Sequence, residues 1–115
     1  MRSLFIAALL VSYSALAADY RLDPGAEVRD GTLQVAPTVH GPGGAALRYE
    51  IRTTREGASG QSNSSQSGSV RLDSDGEGKL ATTNVSVTPR DRYRVHVKLL
   101  EGGRVVAEEE VVYPN

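Results

Sequence analysis

The 115 residues, 13 basic and 14 acidic, carry a formal net charge of −1 at pH 7 and suffice for one small domain, since domains typically contain roughly 100–150 residues. The balanced charge argues against a nucleic-acid partner, which would require a basic excess. Cysteine is absent, which excludes disulfides, thiol redox chemistry, cysteine nucleophiles and cysteine-ligated metals.

The N-terminal segment differs in character from the rest of the chain. Arg2 precedes an apolar run at residues 4–11, and Ala15-Leu16-Ala17 follows a short polar break. A basic start, a short apolar stretch and an A-x-A site are typical of a secretory signal peptide, with cleavage before Ala18. The apolar run is much shorter than the about 20 residues that span a bilayer core. We therefore expect residues 1–17 to be removed and residues 18–115 to form one exported domain without a membrane partner.

After the N-terminal segment, apolar and polar residues alternate with a period of two, which is typical of half-buried β-strands. Glycine, proline, aspartate and asparagine separate the alternating segments. The pattern predicts seven strands, at residues 20–28 (interrupted at Pro24-Gly25), 32–39, 45–55, 63–72, 79–87, 92–100 and 104–113. Seven short antiparallel strands in one small domain predict an all-β fold, a seven-stranded immunoglobulin-like β-sandwich.

Tyr93 lies at the start of the sixth predicted strand, two residues before Val95. In immunoglobulin domains a tyrosine at this place bonds its hydroxyl to upstream backbone, and Val95 would occupy the position of a core cysteine. A tyrosine that only caps the core fits the sequence equally well.

Two polar segments interrupt the strands. Asp73, Asp75 and Glu77 alternate like calcium ligands, but Ala81 and Asn84 stand where an EF-hand loop needs its later ligands. We therefore expect no metal and no cofactor. The Ser- and Gly-rich residues 57–69 have the composition of a flexible linker. In a chain with one domain this segment is either a mobile loop or a weak polar edge strand.

Candidate catalytic residues are scarce. Neither His40, beside a Gly-Pro-Gly-Gly turn, nor His96, on the outward side of a strand, lies in a motif with a nucleophile or a metal-ligand spacing. No glycine-rich phosphate loop is present, and a domain this small has little room for a substrate cleft. We expect a protein that is not an enzyme.

Basic residues concentrate on the outward sides of the third and sixth predicted strands, which are neighbours in an immunoglobulin-type sheet. These residues are Arg48, Arg52, Arg92, Arg94 and Lys98. They predict a basic stripe that would steer acidic partners. Glu108 and Glu110 on the last strand offer cross-strand ion pairs that would absorb much of the stripe, and the sequence favours neither alternative.

The run Arg55-Glu56-Gly57-Ala58-Ser59-Gly60-Gln61-Ser62, with the later turn Pro89-Arg90-Asp91-Arg92, resembles the curli assembly chaperone family of the CsgC and CsgH type. The likeness covers residues 45–113. It implies a periplasmic immunoglobulin-like protein that keeps curli subunits from polymerising into amyloid before secretion. CsgC-type members carry a Cys-x-Cys pair that falls here on Ala45 and Leu47, so the likeness is to the cysteine-free CsgH branch.

Together, the resemblance and the charge pattern give a hypothesis for binding. We expect a monomer that engages a curli subunit through Arg48, Arg52, Arg92, Arg94 and Lys98, by weak contacts that salt screens. A second route is strand addition at residues 61–69, whose polar side chains equally suit protection against self-association. The first competing function is an adhesive or structural subunit of a surface organelle. The last is a small carbohydrate-binding or enzyme-accessory domain, which would be expected to expose aromatic residues.

Overall fold

The computed structural model describes residues 19–58 and 60–114 with their side chains, and residues 10–15 by their backbone. These ranges contain strands and no helix, and therefore no helix that is long and apolar enough to cross a membrane. The predicted cleavage site between Ala17 and Ala18 lies outside the described residues, as does most of the apolar run at 4–11.

Antiparallel pairing organises the strands into one large and two small sheets. The strands are β1 (Leu10–Ala15), β2 (Arg21–Asp23), β3 (Ala26–Arg29), β4 (Thr32–Val35), β5 (Thr38–His40), β6 (Ala46–Gly57), β7 (Gly60–Arg71), β8 (Glu77–Lys79), β9 (Thr83–Ser86), β10 (Arg92–Glu101) and β11 (Arg104–Tyr113). The large sheet has the order β1-β11-β10-β6-β7, and the small sheets have the orders β2-β5-β8 and β3-β4-β9.

The prediction of seven strands is wrong in number, because three of the predicted strands are each broken in two. The breaks fall at Pro24-Gly25, at Ala36-Pro37 and after Lys79, so that ten strands run from Arg21 to Tyr113. The breaks lie beside one another: the Ala36 N–H donates to the Gly25 carbonyl at 3.2 Å, and the Leu80 N–H donates to the Pro37 carbonyl at 3.0 Å. The two small sheets are therefore halves of one bent layer.

Apolar side chains from both layers meet in a single core. The fully buried members include Leu33, Val35, Val39, Ile51, Leu72, Tyr93, Val95, Val97, Leu99, Val106 and Val111. On β10 the buried residues alternate with outward ones, as the period of two predicts. The core residues that the structure describes all lie between positions 20 and 113. The described core therefore belongs to the part of the chain that follows the predicted signal peptide.

The segment at residues 57–69 is an edge strand and not a mobile loop. Gly57 ends β6, and residues 60–69 form most of β7, which begins at Gly60 rather than at the predicted residue 63. Side chains of β7 are exposed from Gly60 to Ser67. Gly68 lies opposite Tyr49 in the register, and a Cβ at Gly68 would collide with the Tyr49 ring. This contact attaches the polar edge strand to the core.

Tyr93 makes the hydrogen bond that the sequence suggested. Its ring is fully buried, and its hydroxyl accepts a hydrogen bond from the Thr88 backbone N–H at 3.0 Å. The bond satisfies a backbone donor in the loop that leads into β10. The tyrosine therefore both fills the core and fixes this loop.

We predict that Tyr93→Phe lowers the free energy of unfolding by about 1–3 kcal/mol, because the Thr88 N–H loses its partner while the ring volume is kept. Urea unfolding at fixed pH measures the change. The control is Tyr113→Phe, a partly buried tyrosine at the end of β11, for which we expect a change within about 0.5 kcal/mol. Equal effects of the two substitutions would contradict the role of the hydrogen bond.

Candidate functional site

The outward side chains of β6, β10 and β11 form one polar surface on the large sheet, which we call the charged face. Its members are Arg48, Glu50, Arg52, Glu56, Arg92, Arg94, His96, Lys98, Glu108 and Glu110. Each of these positions alternates along its strand with inward ones. The structure places all five basic residues of the binding hypothesis on this face.

Carboxylates are interleaved with the basic groups of the charged face. Arg94 Nε lies 3.7 Å from Glu110 Oε2, and His96 Nε2 lies 3.8 Å from Glu108 Oε1. Across β6 and β10, Glu50 is opposite Lys98 in the register, and Glu56 is likewise opposite Arg92. The basic residues therefore do not form a continuous stripe. The face is a mosaic in which the Arg94–Glu110 ion pair is of the kind expected as the alternative, and His96 lies close to Glu108.

Arg52 has no acidic residue directly opposite it on either neighbouring strand. It lies opposite His96 on β10 and opposite Ser65 on β7, and neither neighbour carries a carboxylate. Within residues 19–58 and 60–114, no ion pair shorter than 4.0 Å involves Arg48, Arg52 or Lys98. Arg92 also takes part in none of these pairs. Among the described residues, the cations of the face that are available to a partner are therefore Arg48, Arg52, Arg92 and Lys98.

Two shallow depressions run along the charged face beside β7. The larger has a volume of about 450 Å³, and its lining includes Glu50, Arg52, Ser65, Ser67, His96 and Lys98. The smaller, of about 250 Å³, is lined by Arg52, Thr54, Glu56, Gln61, Asn63, Arg92 and Arg94. Arg52 lines both. β7 supplies hydroxyl groups to the larger depression and amide groups to the smaller one. The charged residues and the polar edge strand therefore form one surface, where the sequence suggested two separate routes.

An ion pair joins the two motifs on which the family resemblance depends. Arg55 Nε donates to Asp91 Oδ2 at 2.8 Å, and the Asp91 side chain is only 8% exposed. Gly57 leaves the space that this carboxylate occupies, since a Cβ there would overlap Asp91 Oδ1. The pair holds the loop before β10 against the end of β6, so these motif residues act on the fold that supports the charged face.

Comparison with known proteins extends this correspondence beyond the motifs. Residues 26–111 match the Tafi-CsgC family model, which is described as thin aggregative fimbriae synthesis protein. The chain belongs to this family. The charged face and the Arg55–Asp91 pair lie within the matched residues. No curated protein matches the sequence.

The fold of this Tafi-CsgC family member is similar to two solved structures. The solution structure of R. palustris CsgH has a TM-score of 0.58 and 16% identity over 76% of this chain and 87% of CsgH. The curli protein CsgC of E. coli has a TM-score of 0.61 and 20% identity over 78% of this chain and 96% of CsgC. At these identities the likeness is one of fold.

Glu109 of β11 is a buried carboxylate that the sequence reasoning missed. It is 1% exposed, and neither of its side-chain oxygens has a hydrogen-bond partner among the described residues. Burial raises the pKa of Glu109 to about 8, and the charge of Asp23 adds to the rise. The signal was present in the sequence: with Glu108 and Glu110 outward, a period of two directs Glu109 to the core.

Our prediction for the Arg55–Asp91 pair is a coupling energy of about 1–3 kcal/mol in a double-mutant cycle of Arg55→Gln and Asp91→Asn. The Asp91 carboxylate is buried and accepts a hydrogen bond from a charged group, which strengthens the coupling. The Arg55 side chain is 45% exposed, and screening by solvent reduces the coupling energy. Unfolding in urea measures the four members of the cycle. The control pair Arg29–Glu27, whose side chains are 76% and 52% exposed, should couple by about 0–1 kcal/mol. Similar coupling for both pairs would contradict the assignment.

The raised pKa of Glu109 predicts a pH-dependent stability. Between the ordinary value of 4.5 and about 8, the folded chain keeps a proton on Glu109 that the unfolded chain releases. The free energy of unfolding should therefore fall as pH rises through this window, by up to roughly 1 kcal/mol per pH unit. Denaturation at pH 5, 6, 7 and 8 measures the slope, which Glu109→Gln should reduce while Glu108→Gln leaves it largely unchanged. A Glu109→Gln variant with the original slope would refute the prediction.

Proposed function

We propose that this protein is a periplasmic chaperone that delays amyloid polymerisation of curli subunits before they are secreted. The observation that carries the proposal is the family match over residues 26–111, because that family is described by its part in the synthesis of thin aggregative fimbriae. We take a synthesis protein to act in assembly, which favours a chaperone over an adhesive subunit of the fibre. The predicted signal peptide at residues 1–17 supports export.

The mechanism we propose is weak, reversible contact with an extended subunit. Amyloid forms when polar, uncharged segments of several chains stack as strands, and a chain held briefly on another surface is withdrawn from that nucleus. Arg48, Arg52 and Lys98 offer charged donors, and the hydroxyl and amide groups of β7 offer both donors and acceptors. Contacts of this kind form and break quickly, so the subunit can still leave for secretion.

The geometry refines the roles of the predicted binding residues. Arg94 is held by Glu110, and its contribution is therefore smaller than that of Arg52, which lines both depressions. The polar lining gives little apolar area to bury, which favours low affinity over stable complex formation. We further propose that the protein acts as a monomer, without a cofactor or catalytic step. Its two-layer fold is taken as immunoglobulin-like, an assignment that the Tyr93–Thr88 hydrogen bond supports.

We predict that changing Arg92, Arg94 and Lys98 together to Glu abolishes the delay in amyloid growth. The change reverses the sign of the basic positions on β10, so the lag should equal that of the subunit alone at every ratio well below equimolar. Thioflavin T time courses with a purified curli subunit, at protein ratios well below equimolar, measure the lag.

A charge-matched control distinguishes the effect of the charged face from the effect of the protein's net charge. The triple variant Arg21→Glu, Arg29→Glu and Lys79→Glu makes the same change on exposed positions of the small sheets, and it should keep the full delay. Because Glu on β10 would lie opposite Glu50 and Glu56, a second variant with Gln at positions 92, 94 and 98 tests the same residues without new repulsion. An unchanged lag in both β10 variants would refute the role of the face. No delay by the original protein at any ratio would refute the function.

A further inference from the structure

The large sheet has a second edge, opposite β7, where β1 covers β11. Residues 10–15 pair with residues 107–112 in continuous antiparallel register, from Leu10 opposite Val112 to Ala15 opposite Ala107. The covering strand lies inside the predicted signal peptide. Its removal would leave one row of β11 backbone N–H and C=O groups without partners, which is the condition under which a sheet accepts another strand.

We propose that the β11 edge of the chain beginning at Ala18 accepts an extended, uncharged segment of a client polypeptide in place of residues 10–15. The proposal rests on the proposed function only in taking the client to be a curli subunit. The incoming segment would become the outermost strand of the large sheet, antiparallel to β11.

Packing favours the β11 edge over the β7 edge as the acceptor. β11 contributes Val106, Ala107 and Val111 to the core, so a strand added beside it would extend the inner layer of the sandwich. β7 is exposed from Gly60 to Ser67, and a strand added there would gain backbone hydrogen bonds with little burial. A strand that gains both contributions binds more tightly than one that gains hydrogen bonds alone.

The charges of β11 determine which segment fits. Residues 10–15, which the structure seats on this edge, contain no charged side chain. A second copy of β11 paired antiparallel about its centre would set Glu108 of each copy against Glu110 of the other, and like charges directly opposite each other are destabilising. The glutamates therefore select a neutral client strand and reject self-association.

Amide hydrogen exchange of β11 tests the edge. In the chain from Ala18, the alternate β11 amides that point away from β10 should exchange faster than in the full chain, where β1 is present. A capped synthetic peptide with the sequence of residues 10–15 should restore their protection as its concentration increases. The matched control peptide carries Ser12→Glu and Ser14→Glu, opposite Glu110 and Glu108, and should bind roughly tenfold more weakly. Equal protection by both peptides, or protection at β7 instead of β11, would overturn the proposal.

The same measurement with a monomeric curli subunit tests the client. Protection of the β11 amides by the subunit is the expected result. If the peptide protects β11 but the subunit does not, while the subunit's amyloid growth is still delayed, the client assignment fails and the chaperone function stands. If the subunit's growth is not delayed at all, the chaperone function fails, whereas peptide protection of β11 still decides whether the edge accepts a strand.

Discussion

The register between β6 and β10 is the constraint on which the rest of the structure depends. These strands are central in the large sheet, and each alternates core residues with charged ones. A slip of one residue would turn Tyr93, Val95 and Val97 toward water and bring arginines into the core. The same apolar contacts that stabilise the sandwich therefore hold the charged face in its arrangement, and the Arg55–Asp91 pair secures the end of that register.

On the charged face, acidic groups offset much of the positive charge of the basic groups. Four glutamates stand among its arginines, lysine and histidine, so its long-range field is weaker than the count of basic residues suggests. What it offers an unfolded chain is a dense set of short-range polar partners along β6 and β7. Such a surface suits a client that must be held briefly and released.

Alternation made most of this architecture predictable. The bounds of the last strand and the outward positions of Glu108 and Glu110 follow directly from the period of two, whereas the pairing of β6 with β10 was expected from the immunoglobulin-type topology. The breaks in the small sheets were harder to predict. Ala36-Pro37 interrupts an otherwise regular alternation, and β9 and β8, which pair with β4 and β5, are distant in sequence. Ion pairing across the charged face depends on side-chain distances, which alternation does not supply. The β1–β11 pairing was missed because residues 10–15 were interpreted only as a targeting signal.

The proposed loss of β1 on export would make processing and activation a single event. While residues 10–15 pair with β11, that side of the strand is covered, and a precursor of this form would be latent toward extended polypeptides. The proposed acceptor would appear only after cleavage before Ala18. The leader would then inhibit strand binding within its own chain as well as direct export, much as a propeptide keeps a zymogen inactive until it is removed.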